Sequence, residues 1–119
     1  MNRPLAYITA DFSTRDEEAD AAATYYCRAL YEAGYSPICP FLSQSYFLSS
    51  AVPQEYKDGR DMAQELLRRS RILVVCGSKR SKEVLADIAL AKRLRIATTT
   101  LEGILNVDKK RTSNYSTTP

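Results

Sequence analysis

The chain has 119 residues, 45% of them hydrophobic and 26% charged, the balance of one soluble domain able to bury its own core. Histidine is absent, and Cys27, Cys39 and Cys76 are widely spaced with no CxxC pair. A zinc site or a Cys–His nucleophile therefore lacks its parts, and the thiols read as reduced and mostly buried. The formal charge of +3 is carried by small basic groups with no interleaved aromatics, so a nucleic-acid partner is not expected.

No apolar stretch approaches the roughly 20 residues that cross a bilayer. The opening "MNRPLAYITADFS" turns polar too soon for a secretory signal. A cytoplasmic protein without a membrane partner is expected.

The elements follow in chain order. "LAYIT" (5–9) reads as a first strand. Thr14 and Glu17 have capping-box spacing and open a helix in which Ala19, Ala23, Tyr26, Leu30 and Ala33 recur at helical intervals until Gly34 stops it. "SPICP" (36–40) is a brief second strand. Residues 41–53 form a loop rich in Ser and aromatics, with room for a turn of helix. Pro53 suits the first position of a helix running to about Arg69, with Met62–Leu66 and Ala63–Leu67 as its buried pairs and Gly59 as a weak point. "RILVVCG" (71–77) is the continuous apolar run of a strand covered on both faces. A helix from Ser81 follows, then "RIATT" (95–99) as a strand and "LEGIL" (101–105) as a short final turn. The chain thus reads as a domain over 1–107 and a polar tail over 108–119.

Strand and helix alternate throughout. That order predicts an α/β fold, a three-layer Rossmann-like or flavodoxin-like parallel sheet of four to five strands with helices on both faces. Ligands of such sheets bind beyond the carboxyl ends of the strands, where strand order reverses. The first of these loops, "TADFSTRDEE", has no glycine-rich turn and sets acids at the helix start, which argues against a dinucleotide. No Walker A motif is present, and no cofactor is expected. The third, "GSKRSK", places Gly77, Ser78, Ser81 and three cations at a helix N-terminus. Cations are unfavourable there unless an anion compensates, so the loop is either a phosphate seat or a Ser81 N-cap among solvated charges. In that helix Val84, Ile88 and Ala91 form the apolar stripe. Asp87 falls at its boundary, where pattern alone favours a solvated carboxylate.

The stretches "YITADFS", "YCRALYEAGYSPICPFL" and "GRDMAQELLRRSRILVVCGSKRSKEVLADIALAKRLRI" resemble, in order and spacing, the nucleoside 2-deoxyribosyltransferase-like superfamily and its small bacterial and phage branch. The likeness runs from about Leu5 to about Thr99. It implies cleavage of the N-glycosidic bond of a deoxynucleoside or its monophosphate through a covalent glycosyl ester. By that resemblance Asp87 stands at the nucleophile's position and Tyr7 at that of the tyrosine orienting it. Asp61 matches an acid that touches the nucleoside, and Ser81 a phosphate contact. Gly77 and Ser78 belong to the same substrate loop, and Tyr46 and Phe47 could stack on a base. Relatives also imply a homo-oligomer.

Departures from the pattern are specific. The nucleophilic Glu is Asp87, Glu83 replaces a Gly, Asp11 replaces a Pro and remains a candidate for holding the sugar, and Arg71 replaces an acid. Attack needs an approach of roughly 3–3.5 Å, so a missing methylene can cost orders of magnitude in rate. Three readings follow: a glycosyl transferase or hydrolase, a nucleoside- or nucleotide-binding protein, and a structural or assembly domain.

Overall fold

Four short strands, all parallel, organise the molecule in the order β2-β1-β3-β4. The computed structural model describes residues 2–12 and 16–107; Thr14 and the expected tail over 108–119 lie outside them. The elements are β1 (Leu5–Thr9), α1 (Glu17–Glu32), β2 (Ser36–Ile38), α2 (Pro40–Gln44), α3 (Pro53–Arg68), β3 (Ile72–Val75), α4 (Lys82–Arg93) and β4 (Ala97–Thr100). The chain is helical again over 101–107, longer than the single turn expected there. The fold is the expected α/β, three-layer Rossmann-like architecture.

Alternation along the two central strands builds both cores. Ala6 and Ile8 of β1 join Val74 of β3 against Ala23, Ala29 and Leu30 of α1 and Leu101 and Ile104 of the helix over 101–107. Tyr7 and Leu73 face the other way, onto Ala63 and Leu67 of α3 and Leu90 and Ala91 of α4. Both faces are covered, and for that reason β1 and β3 carry almost no polar residues. Among the described residues no helix is long and apolar enough to cross a membrane.

Local signals account for most boundaries. Asp16 is the N-cap of α1 and accepts from the Ala19 amide at 2.8 Å. Pro40 and Pro53 open α2 and α3, where a missing amide proton costs nothing. The buried face of α3 is Gly59, Ala63 and Leu67, whereas Met62 and Leu66 remain 43% and 38% exposed. The expected Met62–Leu66 pair is thus corrected to a stripe turned by one residue. Gly59 is where α2 meets α3. A Cβ there would lie 2.7 Å from Gln44 Oε1, and Gln44 Nε2 donates to the Gly59 carbonyl at 2.9 Å. What reads as a weak helical position is a close-approach site.

Leu67→Ala is expected to destabilise the fold by about 2–5 kcal/mol through a core cavity. Its neighbour change, Leu66→Ala, should cost less than about 1 kcal/mol. Urea unfolding of both variants checks the orientation of α3, and equal losses would contradict it.

Candidate functional site

β1 runs to a helix on one face of the sheet and β3 to a helix on the other, so strand order reverses between them and their carboxyl ends open a crevice. Thr9, the last residue of β1, is on the same face as Tyr7, toward α3 and α4. Across from it α4 buries Val84, Asp87, Leu90 and Ala91. Asp87 is only 4% exposed. Thr9 Oγ1 donates to Asp87 Oδ2 at 2.8 Å, and Arg60 Nη2 of α3 reaches Asp87 Oδ1 at 3.3 Å. The boundary position expected for Asp87 is therefore corrected to the centre of the helix's inner face. It lies three residues after Val84 and four before Ala91, the i, i+3, i+7 spacing of a stripe. Counting apolar letters alone skips it because the residue is charged.

Burial raises the Asp87 carboxyl above the ordinary aspartate value of 3.8. The Thr9 hydrogen bond and the Arg60 guanidinium oppose that rise, and Glu83 adds a smaller upward push. Desolvation prevails because one partner is neutral and the other is held at the longer of the two contacts. Tyr7 is pushed well above the usual phenol range, first by burial and then by the charge of Asp87. Among the described residues, the hydroxyl bonded to Asp87 is that of Thr9, although Tyr7 was the expected orienting group.

Above this trio lies a cavity of about 710 Å³, within the usual range of small-molecule sites, roughly 300–1,000 Å³. Its floor is Tyr7, Thr9 and Asp87, with Arg60 beside them. One wall is aromatic: Phe12 stacks on Phe41 with centroids 4.1 Å apart and planes 15° apart. Gln44, Ser45, Ser49 and Ser50 supply a polar rim. The outer side is closed by α3 and α4, where the Tyr56 hydroxyl donates to Glu83 Oε1 at 3.2 Å. Glu55, also in the lining, accepts from the Ser49 amide at 2.9 Å and so fixes the 49–51 turn.

Of the residues expected at the site, the structure brings Asp87, Tyr7 and Ser81 into the cavity lining. Ser81 is the N-cap of α4, its Oγ accepting from the Val84 amide at 3.4 Å. Gly77 and Ser78 are exposed and outside the lining. The basic loop is turned on itself, since Arg80 Nη1 donates to the Gly77 and Lys79 carbonyls at 2.8 and 3.2 Å. Asp61 lies on the outer side of α3, ion-paired with Lys57 at 3.0 Å. Asp11 is half-buried beyond β1 and does not line the cavity. Tyr46 and Phe47 are 87% and 61% exposed and also stay outside. The reason is helical: Phe41, Gln44, Ser45 and Leu48 share one side of α2 and its extension, which turns 46 and 47 away.

Thr9, Phe12, Phe41, Gln44, Tyr56 and Arg60 are site residues that the sequence reading passed over. Arg60 carried a signal, because Tyr56, Arg60, Ala63 and Leu67 fall at i, i+4, i+7, i+11 on one side of α3. A cation in an apolar stripe implies a buried partner. Among the described residues no group of His, Cys, Asp or Glu side chains is placed to hold a metal ion.

A raised carboxyl pKa makes the folded state bind a proton more tightly than the unfolded chain. The Asp87 contribution to stability is thus fully present below about 3.8 and is lost as pH rises through the folded-state value. Arg60→Gln removes the opposing cation and is expected to raise the Asp87 pKa further, widening that window. It should also destabilise the protein at neutral pH by about 1–3 kcal/mol, between the values for exposed and buried pairs. Carboxyl carbon-13 NMR titration reads the pKa directly. An unchanged or lowered value in the variant would contradict the pairing.

No curated protein matches the chain. A sequence model of a domain of unknown function, DUF7768, matches residues 4–101, which takes in all four strands and every residue that lines the cavity. On that match the chain belongs to the DUF7768 family.

Proposed function

We propose that the cavity binds a nucleoside and that the protein is a nucleoside-binding module. The observation that carries this reading is the buried Asp87 carboxylate at the cavity floor, held by Thr9 and Arg60 beneath an aromatic wall. A carboxylate and a guanidinium side by side offer an acceptor and donors to sugar hydroxyls. Phe12, Phe41 and Tyr56 offer the flat apolar contact a base requires. The resemblance of the chain to nucleoside 2-deoxyribosyltransferase-like proteins supports the same ligand class.

Charge favours a nucleoside over its monophosphate. Among the described residues, Asp87, Glu83 and Glu55 line the cavity with Arg60 as the one cation, an excess of negative charge that a phosphate would meet. Binding is also favoured over bond cleavage. Each Asp87 oxygen already accepts a hydrogen bond, and the adjacent Arg60 cation lowers the nucleophilicity that attack on an anomeric carbon needs.

Thermal melting with 2′-deoxynucleosides, ribonucleosides and their 5′-monophosphates tests the proposal, with chromatography of each mixture for free base. The expected result is a rise of several degrees with nucleosides at about 100-fold above Kd. Monophosphates should give a smaller rise, and no base should be released. Asp87→Asn should weaken the effect, and Phe41→Ala should lose it. A flat profile across all nucleosides would overturn the proposal. Base release that disappears in Asp87→Ala would replace binding with glycosidic cleavage.

A further inference from the structure

The opposite edge of the sheet, where the strands begin, has a different character. A hollow of about 540 Å³ opens there, lined by Asn2, Arg3, Arg69, Ser70, Arg71 and Arg95 with nearby apolar backbone. The topology delivers these arginines: Arg3 precedes β1, Arg69 caps α3, Arg71 precedes β3, and Arg95 follows α4. Among the described residues no carboxylate lines the hollow. Glu65, close by in sequence, pairs with Arg68 at 3.5 Å and Arg69 at 3.9 Å. Arg71 and Arg95 make no ion pair with any described acid.

Helix ends alone do not account for this cluster. Cations complement the negative ends of helices, but Arg68 already serves α3, and Lys92 and Arg93 already serve α4. Arg3 is committed elsewhere: it donates to the Tyr35 carbonyl, and to that of Tyr31 at 3.1 Å, with its guanidinium 4.4 Å from the Tyr31 ring centroid, so the guanidinium forks left for an anion are chiefly those of Arg71 and Arg95.

Arg95 supplies a separate argument. It adopts φ +60, a non-glycine residue in the left-handed region. The Arg95 amide bonds to the Lys92 carbonyl at 3.2 Å and the Ile96 amide to that of Ala91 at 2.9 Å. α1 closes in the same way, with the Gly34 amide on Tyr31 and the Tyr35 amide on Leu30, and there the left-handed residue is glycine at φ +98. The chain thus builds one closure twice and accepts backbone strain in the second copy, where the strained residue is an arginine that lines the hollow.

We propose that this edge is a second binding site, for a compact di- or triphosphate anion. Guanidinium forks match phosphate oxygens two at a time, and those of Arg71 and Arg95 at one hollow suit a small multiply charged anion better than an extended strand. The site is separate from the cavity at the other edge by the length of β1, about 13 Å, and stands whether or not that cavity binds a nucleoside.

Calorimetric and phosphorus-31 NMR titration of the whole chain with inorganic tripolyphosphate tests it, with ATP and a short single-stranded DNA as further arms. Tripolyphosphate is expected to bind, with ATP binding at the same residues if the natural source is a nucleotide. Arg71→Gln and Arg95→Gly should each weaken binding by about 10-fold or more, the loss of a charge-assisted pair. Arg95→Gly relieves the left-handed strain, so it should melt no lower than the parent protein, which separates lost binding from lost folding. Arg80→Gln, at the far edge, should bind as the parent does. Equal affinity in the parent and both arginine variants would overturn the proposal. So would saturation by the oligonucleotide without binding of tripolyphosphate.

Discussion

An ionised carboxylate withdrawn from water is tolerated only where hydrogen bonds or an opposite charge replace its hydration. In this protein that requirement falls on Asp87, and its two partners come from two other elements: Thr9 from the end of β1 and Arg60 from the second turn of α3. One buried charge therefore ties a central strand to both helices on one face of the sheet. The tie lies at the strands' carboxyl edge, where the reversal of strand order leaves space between them. Further out, Gln44 docks on the bare backbone of Gly59 and holds α2 across the top. The cavity is what remains among these constraints, and its chemistry is that of the groups which create it.

The described linings of the two hollows, one at each edge of the sheet, have opposite electrostatic character. At the carboxyl edge the described cavity lining holds three carboxylates and one guanidinium. At the amino edge the described lining of the hollow includes four arginines and no acid. A formal charge of +3 conceals this separation, because a sum over the chain carries no information on position. Parallel topology produces it: every strand starts at one edge and every returning helix ends there, so residues near strand starts and helix ends collect together whatever their separation in sequence.

Much of the fold was legible because its local signals agree with one another. The apolar runs of β1 and β3, the prolines opening α2 and α3, and Ser81 ahead of α4 each mark a boundary by a mechanism that acts within a few residues. The site was legible only in part. Asp87 could be singled out by its place after β3, but its burial could not, since a charged letter in a helical stripe looks like the stripe's edge until its partners are known. Arg60 and Thr9 are those partners, 27 and 78 residues away in sequence. Tyr46 and Phe47 attracted attention as aromatics in a loop, yet the helical turn of 40–44 faces Phe41 inward and leaves the pair in solvent. The basic loop at 77–82 matched an anion seat in composition, and its geometry instead spends Arg80 on carbonyls of the loop itself.

The account depends on a charged side chain that is hidden from bulk solvent yet open to a ligand at the crevice between β1 and β3. Two-dimensional NMR of the labelled protein, recorded while a 2′-deoxynucleoside is added, examines that claim most directly. The account predicts that the largest shifts fall on the Asp87 carboxyl, the Thr9 amide and the Arg60 guanidinium, with the ring signals of Phe12 and Phe41 moving alongside them. Shifts confined to other surfaces, or none at concentrations that saturate ordinary nucleoside sites, would contradict it.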